Sequence, residues 1–221
     1  MRFTVGEVLG EAWRLYTRHS GRLIAVAAIV FGFLSLVQAA INSTGQRALI
    51  PISIGVTIVG GLWLQGALVV VVDDLRKGKV DLSIAEVLRR VEPRIWTLLG
   101  TGVLVTIGIL GGLYLFIVPG LVLIAYWSLV TPAVVLEGKG VLAAFSRSQR
   151  LVSGNFLRVF AVVALTVVLA GIVWTVIVAL LSPLPPFFSI YVAGVVAYSV
   201  TIPFVALAWT LMYYDLRALK G

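Results

Sequence analysis

The chain has no cysteine and only one histidine, His19, among its 221 residues. Disulfides, thiolate nucleophiles and cysteine-ligated metals are thereby excluded. Charged residues are also scarce, at 12%, and unevenly spread. Residues 23–46, 48–72, 95–136 and 159–214 contain no Asp, Glu, Lys or Arg. No carboxylate inside these stretches can relay a proton or bind a cation. An apolar content of 61% with so little charge excludes an ordinary soluble domain. Disorder is excluded as well, because nothing outside the termini is long and polar.

What is present reads as membrane protein. About 20 apolar residues cross a bilayer as a helix. The four stretches hold 24, 25, 42 and 56 residues, so the first two are single spans and the last two are pairs. Six spans are expected, near 23–41, 49–72, 95–117, 119–136, 156–181 and 187–213, in a single membrane domain over 1–221. The connections alternate. Residues 42–48, the turn at 118–120 and residues 182–186 are short and carry only Arg47. Every other basic residue, and all nine acidic ones, falls at the opposite ends. The positive-inside rule then makes both termini and all the charged connections cytoplasmic. A signal peptide is not expected at the first span, because about twenty helix-patterned residues precede it and five spans follow. The net charge of +8 fits an anionic membrane surface, since no separate basic domain exists for nucleic acid.

Each charged segment also shows a helical pattern with one apolar face. In the first, Val5, Val8, Leu9, Ala12, Trp13 and Tyr16 oppose Glu7, Glu11, Arg14 and Arg18. Thr4 and Glu7 form a capping box, and Ser83 with Glu86 repeats it before Val87, Leu88 and Val91. Such helices are expected to lie in the headgroup plane, with Trp13 and Trp96 at the interface. The fold class is therefore an all-α integral membrane protein of six spans. These form three hairpins, each preceded by a cytoplasmic amphipathic surface helix. Repeats are expected over 1–79, 80–139 and 140–221. They rest on Thr4–Leu9 against Ser83–Leu88, Trp127-Ser128 and Pro132 against Tyr198-Ser199 and Pro203, and Asp74-Leu75-Arg76 against Asp215-Leu216-Arg217.

Catalysis needs nucleophiles or titratable groups that converge. His19 stands alone beside Arg18, no phosphate-binding glycine motif is present, and the serines and threonines have no base to activate them. No enzyme activity, metal or cofactor is expected. The polar and helix-breaking residues of the spans include Gln38, Gln65, Thr101, Thr131, Ser128, Pro132, Ser199 and Pro203. They serve helix packing or line a cavity near the two prolines, whose missing amides free carbonyls. Gly108 and Gly112 form a GxxxG pattern. On the cytoplasmic side, Arg147 and Arg150 share one helix face near Glu137, as an anchor for that helix or a clamp for an anionic headgroup.

Pro119-Gly120, Trp127-Ser128-Leu129, Pro132, Glu137-Gly138, the run from Ala144 to Gly154 around Arg147-Ser148-Gln149-Arg150, and the closing Tyr213-Tyr214-Asp215-Leu216-Arg217 follow in order. This pattern resembles the membrane domain of bacterial glycerophosphodiester phosphodiesterases and related six-span inner-membrane proteins. Gln149 stands where such proteins usually carry an aromatic. The resemblance implies a helical domain in the bacterial cytoplasmic membrane, sometimes fused to a phosphodiesterase, but no such activity in this chain. It implies a structural or headgroup-contacting role for Glu137, Arg147, Arg150, Asp215 and Arg217. Two functions follow as expectations. One is a non-catalytic scaffold or accessory module that binds anionic lipid or a partner protein at its cytoplasmic face. The other is a small carrier or lipid-handling transporter with a path lined by Ser128, Pro132, Ser199 and Pro203.

Overall fold

Long uncharged stretches become helices because a helix satisfies its backbone polar groups within itself, which lipid cannot do. A computed structural model describes residues 4–78, 84–115, 117–185 and 187–220. Among these residues no strand occurs, and six helices are long and apolar enough to cross a membrane. Arg2, Lys79 and Ser83, which enter the charge count and the second capping box, lie outside the described residues, as does the side chain of Arg47.

Helix α1 (Val5–Ser43) starts at Thr4, whose hydroxyl accepts from the Glu7 amide at 3.3 Å. The expected surface helix and first span are one element here. They meet at a kink where His19 leaves helical backbone angles (φ −122°, ψ 18°). Hydroxyls of Thr17 and Ser20 return to carbonyls of the preceding turn and compete with the helical ladder at this point. Helix α2 (Ile50–Arg76) has Pro51 in its first turn, where a missing amide costs nothing. Next come α3 (Ile84–Val91), a 3₁₀ turn (Glu92–Arg94) and α4 (Ile95–Leu115).

Residues 118–120, where a turn is expected, belong to helix α5 (Ile117–Trp127). α5 returns along α4. Both glycines of the GxxxG pattern lie at this contact: Gly108 faces the Trp127 ring, and a Cβ on Gly112 would stand 3.0 Å from the Gly120 Cα. The third apolar stretch then breaks at Ser128 and Leu129 before α6 (Val130–Glu137). Gly138, at φ +65°, ends α6 in the left-handed conformation that glycine adopts without strain. Helices α7 (Val141–Val152), α8 (Phe156–Leu181) and α9 (Ala193–Lys220) follow, with a π-helical turn (Phe187–Val192) leading into α9.

α9 is central, packing against α1, α2, α6, α7 and α8. Pro203 sits inside it without ending it. Its sequence counterpart Pro132 lies just past a helix break, so similar motifs have different local structures. The continuous core gathers at one end of the bundle. It runs from Val8 to Ala27, from Leu64 to Val72, from Leu129 to Val135 and from Phe204 to Leu216, next to the charged residues. Toward the other end, large side chains such as Phe33, Ile54, Ile107, Leu110 and Leu180 are more than half exposed.

Candidate functional site

The charged end of the bundle is built on Glu137, the last residue of α6. Only 11% of its side chain is exposed. Arg147, two turns into α7, donates its Nε to both carboxylate oxygens at 3.0 and 3.1 Å and places a second nitrogen 2.9 Å from Oε1. The tight turn at Gly138 makes this possible, because it folds α7 back beside α6. Tyr213 of α9 is fully buried and donates its hydroxyl to the same Oε1. Arg217 and Lys139 complete the ring, each 3.9 Å from a carboxylate oxygen. The hydrogen bond and charge of Glu137 hold the Arg147 guanidinium above its usual pKa, against the opposing effect of partial burial.

Of the five residues expected here, Glu137, Arg147 and Arg217 converge. Arg150 and Asp215 do not. Arg150 is exposed and turns back to the Ser146 carbonyl at 3.3 Å, while its own carbonyl accepts from Lys220. It follows Arg147 by three residues and so lies on the same side of α7, yet its guanidinium returns to its own helix rather than reaching Glu137. Asp215 stands on another side of α9, within electrostatic reach of Glu11, Arg76 and Glu7.

A second cluster closes the end of α2. Asp74 is buried and accepts from Arg90 of α3 at 3.1 and 3.2 Å, and Arg90 also reaches Glu86 at 3.2 Å. Asp73 pairs with Lys77 at 2.6 Å and accepts from the Tyr214 hydroxyl. Arg76 lies over the Tyr214 ring, 4.3 Å from its centroid, in a cation–π contact. The consecutive tyrosines of α9 thus tie the carboxylates of two spans to one helix. None of Asp73, Asp74, Arg90, Tyr213 and Tyr214 was among the expected site residues. The available signal was a pair of phenols at the junction of an apolar run with charge.

Ser128, Pro132, Ser199 and Pro203 do not form one chamber. Pro132 lines a cavity of about 250 Å³ between α2, α6, α8 and α9, with Gln65, Thr131, Trp209 and Thr210 as its polar members. Ser128 bonds back to the Ala125 carbonyl at 2.9 Å. Ser199 is buried with an unpartnered hydroxyl, and neither it nor Pro203 lines this cavity. Buried Ser148 of α7 donates to the Tyr126 carbonyl at 2.6 Å, bracing α7 against the break in the third apolar stretch. Among the described residues, no three His, Asp or Glu side chains gather as a metal site.

All-helical architecture among the described residues, six bilayer-length apolar helices and charge gathered, Arg47 apart, at one end define the class: a helical chain of multi-pass membrane type. Residues 84–216 match a domain of unknown function, DUF7847, and the chain belongs to that family. The match begins at α3 and takes in both members of the Glu137–Tyr213 pair. No curated protein and no solved structure matches the chain.

Proposed function

We propose that the protein is a non-catalytic membrane module whose cytoplasmic face holds anionic lipid headgroups. One observation carries this reading: the carboxylates of Glu137, Asp73 and Asp74 are occupied internally, while six arginines stand exposed around them. Glu137 is taken by Arg147 and Tyr213, Asp73 by Lys77 and Tyr214, and Asp74 by Arg90. Arg14, Arg18, Arg22, Arg89, Arg150 and Arg158 remain on exposed positions around them. A basic residue near an anionic surface contributes about 1 kcal/mol, and several act together.

The same charge bias orients the chain, with both termini in the cytoplasm. Exposed Trp13 and Trp96 at that end suit the headgroup layer. The contacts of α1 with α2, α4 with α5 and α8 with α9 support a reading as three hairpins. The N-terminal arm of α1, α3 and α7 would then be the three surface helices. In α3, Val87 and Val91 are buried while Glu86, Arg89 and Arg90 are exposed. The resemblance to phosphodiesterase membrane domains supports a bacterial cytoplasmic membrane as the setting.

The test is lipid retention. Protein purified in mild detergent from membranes containing phosphatidylglycerol is compared with the double variant Arg150→Gln/Arg158→Gln by native mass spectrometry. The wild type is expected to keep anionic lipid and the variant to lose most of it. Equal retention would sink the proposal, and a polypeptide kept at fixed ratio by both forms would replace lipid with a partner protein.

A further inference from the structure

The cavity between α2, α6, α8 and α9 has a feature that packing does not account for. Thr210 lies on its wall, is fully buried, and its hydroxyl has no hydrogen-bond partner. Threonines within membrane helices normally return their hydroxyl to a carbonyl one turn back. Thr57, Thr101, Thr106, Thr166, Thr175 and Thr201 all do so here. Thr210 instead keeps its hydroxyl unpartnered just behind the lining, where a rotation of its side chain would bring donor and acceptor to the cavity, at a cost of about 1–3 kcal/mol while nothing meets them. Trp209 beside it sends its own Nε1 proton to Thr166 at 3.1 Å, so it presents a ring rather than a competing donor. Thr131 and the exposed amide of Gln65 supply further polar groups, and the rest of the lining is Pro132 and aliphatic side chains.

Three properties select the occupant. No ionisable side chain lines the cavity, so the ligand is neutral. The volume is at the small end for ligand pockets and takes one chain rather than two. At 1.5 Å per residue, Thr131 and Thr210 lie roughly 10 Å below Glu137 and Arg217, and Gln65 roughly 16 Å below Arg76. A ligand there has its polar group under the headgroup layer and its chain in hydrocarbon. The mouth faces sideways, where Gln65 and Val167 are exposed between α2 and α8.

We infer that this cavity is a binding site for a neutral, single-chain lipid with a hydroxyl-bearing head, of the monoacylglycerol class. It enters laterally and places a hydroxyl or ester oxygen against Thr210. The site is separate from the basic surface proposed above, and no residue is shared.

The probe is 1-monooleoylglycerol brominated across its double bond, added to the purified full chain in detergent, with tryptophan fluorescence as readout. Saturable quenching is expected, and Trp209→Phe should remove most of it. Thr210→Val should weaken binding about five-fold, the loss of one neutral hydrogen bond. Ala206→Phe, filling the floor, and Val167→Phe, narrowing the rim, should each abolish saturation. Val167 is exposed, so its variant keeps the test valid if Ala206→Phe folds poorly, as judged by gel filtration. Arg150→Gln/Arg158→Gln should leave the quenching curve unchanged, which separates this site from the lipid surface. Non-saturable quenching, an unchanged midpoint in Thr210→Val and Val167→Phe, or undiminished quenching without Trp209 would each overturn the proposal.

Discussion

The two ends of this bundle are held together by different means. At the charged end, helices meet through a continuous apolar core capped by two carboxylate clusters. At the far end, the polar bonds between elements are neutral, among them Asn42 to the Tyr191 hydroxyl at 3.0 Å and Gln38 to the Thr57 hydroxyl at 3.4 Å. Many large aliphatic side chains there face outward. In water such a surface would promote aggregation, but lipid solvates it as well as protein does. Packing at that end therefore gains little from apolar burial and must rest on shape. The difference teaches that fold specificity is concentrated where charges, phenols and a tight glycine turn coincide.

Removing Glu137 should give the largest effect. Glu137→Ala leaves Arg147 and buried Tyr213 without their acceptor, and a loss of about 3 kcal/mol is expected in reversible unfolding from detergent micelles. Asp74→Asn should cost less, about 1.5 kcal/mol, because Arg90 keeps Glu86 and is partly solvated. Tyr213→Phe and Tyr214→Phe should each cost about 1 kcal/mol. In a double-mutant cycle Tyr213→Phe should couple to Glu137→Ala, and Tyr214→Phe to Asp73→Asn. Crossed pairs should add, since each phenol serves its own carboxylate. Ile107→Ala and Leu110→Ala, on outward-facing positions of α4, should change stability by less than about 0.5 kcal/mol. A loss at Ile107 as large as that at Asp74 would erase the contrast between the two ends.

The spans could be read from the chain because the bilayer imposes one rule, a charge-free length, on all six. Glu137 meeting Arg147 was also legible, since a short turn joins their helices. The Asp74–Arg90 and Asp73–Tyr214 pairs were not, because their partners come together only once separate elements pack. Local pattern misled in places for physical reasons. Arg150 follows Arg147 by three residues, yet the turn at Gly138 aims only one of them at the carboxylate. The motif shared by Ser128 and Ser199 conceals different surroundings, one hydroxyl bonded back to its helix and the other left alone. Likewise Asp74 is paired with Arg90, whereas Asp215, in the matching tripeptide, lies within electrostatic reach of Glu11, Arg76 and Glu7. Of the cavity lining, Gln65, Thr131 and Pro132 stand among the residues singled out from the sequence, whereas Thr210 carries no motif and only the missing bond distinguishes it.

The adjacency of Tyr213 and Tyr214 also has a consequence for how the protein is made. Of the elements described, α9 leaves the ribosome last, so the carboxylates of α2 and α6 wait through the insertion of earlier spans without their phenols. Neighbouring residues on a helix project about 100° apart. A rotation or one-residue slip of α9 would therefore break both phenol bonds at once. The last of the described helices therefore keeps both phenol bonds in one register or forfeits them together, leaving Glu137 to Arg147 and Asp73 to Lys77.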